Sequence, residues 1–228
     1  MPNLKDQLKS HEARAKRARS NIEKFRRLVE HNKLVLKLEQ QRAARVKKQI
    51  TGRGQGERAR AVRWALDAVG VVEKPAFSNS GPRISQWQQM SGYSSGVPWC
   101  QVFCNTSAWF GMKGRVNLDC ANISGYTVSV VDRAKRHSPM GGVPGWKTCK
   151  LSECKPGDWV YFNFSPGGDP VEHVGMFLSY DAKAGTVKCV EGNTSRGNGG
   201  SQDNGGGVFV RVRPTSVVAA CVSVPFRS

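Results

Sequence analysis

Apolar side chains return every seven residues through the first fifty positions. Leu8, Ala15, Ile22, Val29, Leu36, Ala43 and Ile50 form one unbroken column. That spacing predicts a helix presenting a single seam. The column three positions on, His11, Ala18, Phe25, Asn32, Glu39 and Val46, is apolar at only half its places. A full seam beside a broken one predicts a coiled coil of modest stability, or a helix packed on something else. The column Glu12, Arg19, Arg26, Lys33, Gln40 and Lys47 is mostly basic, so a parallel homodimer would set like charges against each other. His31-Asn32 is a point where the segment could fold back as a hairpin. Residues 1–50 therefore read either as a solvated basic arm or as an arm that self-associates or docks on a target.

The pattern changes at Thr51-Gly52-Arg53-Gly54-Gln55-Gly56, a flexible breaker. It divides the chain into an arm with its linker, 1–55, and a second domain, 56–228. In the second domain Ala61, Trp64, Ala65, Ala68 and Val71 recur at helical spacing within 57–72. Asn79-Ser80-Gly81-Pro82 closes that unit, and Ile84, Trp87 and Met90 open another. Gly96-Val97-Pro98 breaks the chain again, and residues 101–112 carry Val102, Phe103, Ala108, Trp109 and Met112 as a mostly buried helix ended by Gly114. After residue 150 the period falls to two. Strands are predicted at 159–164, after the turn Pro156-Gly157-Asp158, and at 173–180, 186–192, 208–212 and 217–224. Helices first and short strands afterwards predict an α+β domain with an antiparallel sheet.

Charge sharpens the division. Of 35 Lys and Arg against 17 Asp and Glu in 228 residues, the first 56 residues hold 16 against 5, or +11, and the rest hold 19 against 12, or +7. The total of +18 favours a polyanionic target, nucleic acid or anionic cell envelope. No run of 18 apolar residues is present, so no spanning helix is expected. The first 25 residues are polar and charged, without the apolar middle of a secretory signal. Seven cysteines are an odd number and too few for a disulfide scaffold, so reduced thiols from a cytoplasm are expected.

Among those cysteines, Cys100 follows Pro98-Trp99 and opens a predicted helix. The positive end of a helix favours the thiolate, the nucleophilic form. Cys104, one turn on among apolar neighbours, reads as a core thiol. Cys149 and Cys154 have four residues between them but no second ligand pair, so no zinc site is expected. Of four histidines only His173 lies in an apolar strand. The turn Asp181-Ala182-Lys183-Ala184-Gly185, if centred on Lys183, sets His173 opposite Asn193 and Glu191 opposite Gly175. All three polar side chains then share a face. A carboxylate or amide beside one imidazole nitrogen fixes the tautomer, and the other nitrogen can take the thiol proton. The Cys100 amide, at the helix start, is the expected oxyanion donor. Gly192 allows a close backbone approach beside Glu191.

Asn79-Ser80-Gly81-Pro82, Pro98-Trp99-Cys100-Gln101-Val102-Phe103, the block from Pro156 to Phe162, Glu172-His173-Val174-Gly175 and Val190-Glu191-Gly192-Asn193-Thr194 follow one another in an order that resembles the CHAP family. These are cysteine, histidine-dependent amidohydrolases and peptidases that cut peptidoglycan. The resemblance covers roughly 57–228 and does not extend to 1–50. It implies a papain-like fold, Cys100 as nucleophile, His173 as base, Glu191 as the residue orienting the imidazole, and Asn193 as further polar support. It also implies a groove for the peptide stem between the Cys100 helix and the sheet. The Asp-rich calcium loop of some members has no counterpart, since Glu73 is the one acidic residue between Val71 and Trp99. No cofactor and no metal are expected.

The expected function is therefore that of a phage endolysin or virion-associated lysin, made in a host bacterial cytoplasm and acting at the cell wall. Residues 1–50 would serve self-association or a virion partner. The competing expectation is a virion assembly protein with a helical oligomerisation arm and a vestigial hydrolase-like domain. Nucleic acid is not the expected partner, because no base-reading module is present.

Overall fold

The seven-residue repeat of the first segment forms one helix, α1 (Leu4–Thr51), in the computed structural model of the chain, which describes residues 3–51, 56–165, 167–197, 201 and 204–227. The helix runs through His31-Asn32 without a break, which corrects the hairpin expectation. Residues 1–50 hold no Gly and no Pro beyond position 2, so nothing in the backbone stops propagation, and each added residue closes one more hydrogen bond. Leu8, Ile22 and Val29 stand at least half exposed along it. The Ala43 and Ile50 side chains, and the linker around residues 52–55 where the domain boundary was expected, lie outside the described residues. The chain divides into two compact units, Met1–Gln40 and Gln41–Ser228.

In the second unit the apolar spacings become α2 (Glu57–Asp67), α3 (Pro82–Met90) and α4 (Cys100–Gly111). Pro82 stands in the first turn of α3, where its missing N–H costs nothing. A further helix, α5 (Thr127–Lys135), was not anticipated; it buries Thr127, Val130, Val131 and Ala134, a single stripe at intervals of three and four. The strands are β1 (Lys147–Thr148), β2 (Trp159–Phe162), β3 (His173–Asp181), β4 (Thr186–Thr194), β5 (Gly207–Pro214) and β6 (Val218–Ser223). They form one sheet in the order β1-β6-β2-β3-β4-β5, with every pairing antiparallel. The architecture is α+β.

The sheet is covered on both sides, which is why β2 reads as Trp-Val-Tyr-Phe, apolar throughout. Trp159, Tyr161, Val174, Met176 and Val190 pack with Val102, Phe103 and Ala108 of α4 in the larger core. Val160, Phe162, Phe177, Val187, Cys189 and Cys221 form a smaller core. Trp64, Trp87, Trp99 and Phe103 join α2, α3 and α4, with ring centroids 5.3–5.9 Å apart. The turn before β2 is anchored from below: Asp158, almost fully buried, accepts from Arg58 of α2 at 2.8 Å and from the Val224 and Lys155 amides at 3.1 and 2.8 Å. Asp158 thus ties the first helix of the unit to the sheet, a structural duty.

Hairpin β3–β4 carries a correction. The outer pairs are Tyr180↔Val187 and Asp181↔Thr186, one residue away from a turn centred on Lys183. A bulge between Phe177 and Ser179 takes up the difference, and the inner pairs are Phe177↔Cys189 and Met176↔Val190. The β3–β4 pairs end at Met176↔Val190; beyond them Gly175 still lies against Glu191, as expected, whereas the expected pairing of His173 with Asn193 does not form. The bulge adds one residue to β3 and returns the inner residues to their faces. Among the described residues no helix is long and apolar enough to cross a membrane.

Candidate active site

Three elements converge at the site. Cys100 is the first residue of α4 and is 6% exposed. The first amides of a helix have no partner within it, so they are free to meet negative charge. Trp99 holds this end in place: it is wholly buried, and its indole Nε1 donates to Glu73 Oε1 at 2.9 Å. Gly192 of β4 lies against the same end. A Cβ on it would stand 2.7 Å from Phe103 Cβ and 2.8 Å from Trp99 Cζ3, so only glycine lets β4 come this near to α4.

His173 opens β3 and Glu191 lies in β4; both are wholly buried. His173 Nε2 and Glu191 Oε2 are 3.1 Å apart. Gly175 makes room for this contact, because a Cβ there would meet Glu191 Cγ at 2.7 Å. Burial works against a charge on His173, yet the Cys100 thiol and then the Glu191 carboxylate raise its pKa from 6.5 to about 9. Nδ1 has no hydrogen-bond partner among the described residues. Nε2 is taken by Glu191, so Nδ1 is the nitrogen left to receive a proton from the neighbouring Cys100 thiol. Burial works against ionisation of Glu191 too, but hydrogen bonds from His173 and then Arg213 leave its pKa lowered. Cysteine, imidazole and carboxylate are therefore brought together, the set of groups from which a nucleophile, a base and an orienting anion can be made.

Asn193 is placed otherwise. It is buried with φ 56°, its Nδ2 donates to Asn204 Oδ1 at 3.2 Å, and its carbonyl accepts from the Gly205 amide at 2.8 Å. It pins the loop after β4 and makes no hydrogen bond to the ring. Its Oδ1 is buried without a partner among the described residues.

Sequence reasoning missed Arg213. Its Nε donates to Glu191 Oε1 at 3.0 Å, and its Nη2 donates both to Glu191 Oε2 and, at 3.1 Å, to Thr194 Oγ1. Phe162 and Phe164 were missed as well; their ring centroids lie 6.2 and 6.1 Å from that of His173. The one available signal was the pair Arg211 and Arg213 inside the otherwise apolar strand Val-Phe-Val-Arg-Val-Arg.

No family model, no curated protein and no solved structure matches this chain. The site must be read from its own chemistry.

The remaining thiols stand apart. Cys104 is fully buried, and burial pushes its pKa well up, as befits a core residue. Cys149 and Cys154 have sulfurs 3.7 Å apart, and hydrogen bonding between them, then burial, pushes the Cys149 thiol up. Among the described residues no three His, Cys, Asp or Glu side chains are arranged to hold a metal ion.

A raised pKa on buried His173 is also a statement about stability. The group is about 9 in the fold against 6.5 ordinarily, so its contribution is complete below about 6.5 and is lost as pH rises through about 9. The lowered pKa of Glu191 acts oppositely, and its contribution is lost as pH falls into the acid range. Urea unfolding at pH 6 and pH 10 is expected to show stability lower by about 3 kcal/mol at the higher pH. In His173→Gln that difference should shrink.

Proposed function

We propose that residues 57–228 are a CHAP-type hydrolase of papain-like architecture that cuts an amide bond in bacterial peptidoglycan. The observation carrying this reading is the buried His173–Glu191 contact of 3.1 Å, with the Cys100 thiol beside the imidazole at the start of a helix. The five sequence blocks and the net charge of +18, suited to an anionic wall, support it.

The chemistry follows from the atoms present. Nδ1 of His173 takes the thiol proton, and the Cys100 sulfur attacks the carbonyl carbon of the scissile amide. The oxyanion meets the open amides at the start of α4. His173, now an imidazolium steadied by Glu191, gives its proton to the departing amine nitrogen as the C–N bond breaks, leaving a thioester on Cys100. His173 then takes a proton from water, whose oxygen attacks the thioester carbon. The C–S bond then breaks, the carboxylic acid leaves, and the Cys100 sulfur takes the proton back from the His173 imidazolium. No cofactor or metal enters these steps.

A wall-cutting enzyme of this kind serves as an endolysin or as a virion-associated lysin, made in the host bacterium and acting at its wall. A second reading has its own support. The exposed seam Leu8, Ile22, Val29 of α1 fits an assembly arm, and a virion structural protein could carry a silent hydrolase-like domain.

Digestion of purified peptidoglycan followed by mass analysis separates the two. The hydrolase is expected to release fragments with new amino termini or freed sugar–peptide amides, and the residue exposed names the bond. Walls recovered with unchanged muropeptides at enzyme concentrations that saturate binding would leave the assembly reading standing.

A further inference from the structure

Arg213 of β5 is used by no step above, yet it is bound directly to the site. Its guanidinium grips both oxygens of Glu191, Nε on Oε1 at 3.0 Å and Nη2 on Oε2. Oε2 is the same oxygen that faces His173 Nε2. Nη2 is tied further to Thr194 Oγ1 at 3.1 Å. The guanidinium carbon lies 4.9 Å from the centroid of Phe164 and 5.9 Å from that of Phe162, and these two rings also flank His173. Arg213 itself is 5% exposed.

We infer that Arg213 is the positioning residue of the site: its fork keeps Glu191 ionised and fixed in plane, which holds His173 in the tautomer that can accept the Cys100 proton. This rests on the hydrolase reading. A carboxyl group fully buried beside one imidazole tends to take a proton, because burial penalises its charge. A protonated Glu191 would donate to Nε2, which would then have to be an acceptor. The ring hydrogen would move to Nδ1, and the nitrogen facing the thiol could no longer act as a base. With the guanidinium in place both carboxylate oxygens face donors, so Nε2 must carry its hydrogen and Nδ1 keeps its lone pair. A lysine supplies the charge without the two-point grip. Among the described residues, the charged and titratable groups facing Glu191 are His173 on β3, Arg213 on β5, Cys189 on β4 itself and Cys104 on α4; of these only Arg213 is a permanent cation.

The test uses the full chain labelled with ¹⁵N in histidine. Nitrogen NMR reports directly which ring nitrogen of His173 carries hydrogen, whether or not any wall is cut. At about pH 10.5, above the raised pKa of about 9, the ring is neutral and wild type is expected to carry its single hydrogen on Nε2. Arg213→Met is expected to move it to Nδ1 and to draw the ring titration down from its raised value. Wall clearing should fall by roughly 10- to 100-fold, the scale on which outer partners matter to metal-bound imidazoles, and the loss should fall on kcat more than on KM. Arg213→Lys should retain the Nε2 hydrogen and recover part of the activity. Wild-type tautomer and titration in Arg213→Met would overturn the inference. Should that variant not fold, Glu191→Gln and the double variant Glu191→Gln/Arg213→Met decide: a positioning residue acting through Glu191 costs nothing more in the double, and a further tenfold loss there overturns it. Absence of clearing by wild type, with the tautomer as expected, would sink the hydrolase reading and leave the Arg213–Glu191–His173 coupling intact.

Discussion

Cys100→Ala is expected to reduce wall clearing by at least about 10⁴-fold, the scale on which an enzyme loses its covalent nucleophile. The scale is large because, in the proposed mechanism, the sulfur is the atom that forms the acyl bond. The helix amides and the His173–Glu191 pair remain, so a small rate above background survives through binding and oxyanion contacts alone. The fold should survive as well. Alanine favours the helix at least as well as cysteine does, and the removed atom is a single sulfur. Circular dichroism and the thermal midpoint of the variant should match wild type within a few degrees. Clearing by Cys100→Ala at the wild-type rate, with an unchanged fold, would end the case for a thiol mechanism.

The second large effect belongs to Glu191. Glu191→Gln preserves shape and removes one charge, and it is expected to lower kcat by roughly 10³- to 10⁴-fold, as when the orienting carboxylate of a catalytic triad becomes an amide. The hydrogen-bond pattern explains why. Oε1 accepts from Arg213 Nε, and Oε2 accepts from Arg213 Nη2 and faces His173 Nε2. All of these neighbours donate to an anion. Glutamine has one acceptor and one donating amide, so each of its two orientations sets hydrogen against hydrogen. With the amide nitrogen at the Oε2 position, His173 is pushed into the tautomer that cannot take the thiol proton. The change also leaves Arg213 as a buried cation without its anion, which costs about 3–5 kcal/mol and should lower the thermal midpoint by roughly 6–20 °C for a chain of this size. Activity and melting are separable here, since the Arg213→Met change added to Glu191→Gln should restore much of the melting temperature and none of the activity. Full wall clearing by Glu191→Gln would remove Glu191 from the mechanism.

The effects expected at Cys100 and Glu191 differ in how readable their causes were. The Cys100 position is a local matter: a proline, a tryptophan and then a helix with no polar cap give a thiol at a helix start. The His173–Glu191 contact is nearly local, since a short turn separates two apolar strands and alternation selects the faces. Even there the turn centre was off by one, and a bulge in β3 between Phe177 and Ser179 restored the inner register. Asn193 shows the limit of alternation. Its φ of 56° takes it out of strand geometry, so its side chain reaches Asn204 in place of the ring.

The sequence by itself determined what neighbours along the chain can settle. It gave the long N-terminal helix, since no Gly or Pro interrupts it before residue 51, as well as three of the later helices, the main strands and the face shared by His173 and Glu191. These follow from periodicity and from turns only a few residues long, where the cost of closing the chain is small. The tertiary structure alone decided which distant segments met. It inserted β6 between β1 and β2, made α5 from a stretch whose stripe is short, and brought Arg213 from the far side of a Gly- and Asn-rich loop onto Glu191. Such a contact leaves almost no trace in one sequence. An arginine alternating with valines looks like the wet face of an edge strand, and only the packing of Phe162 and Phe164 over it shows that the face is dry and that its charge is bound to the carboxylate.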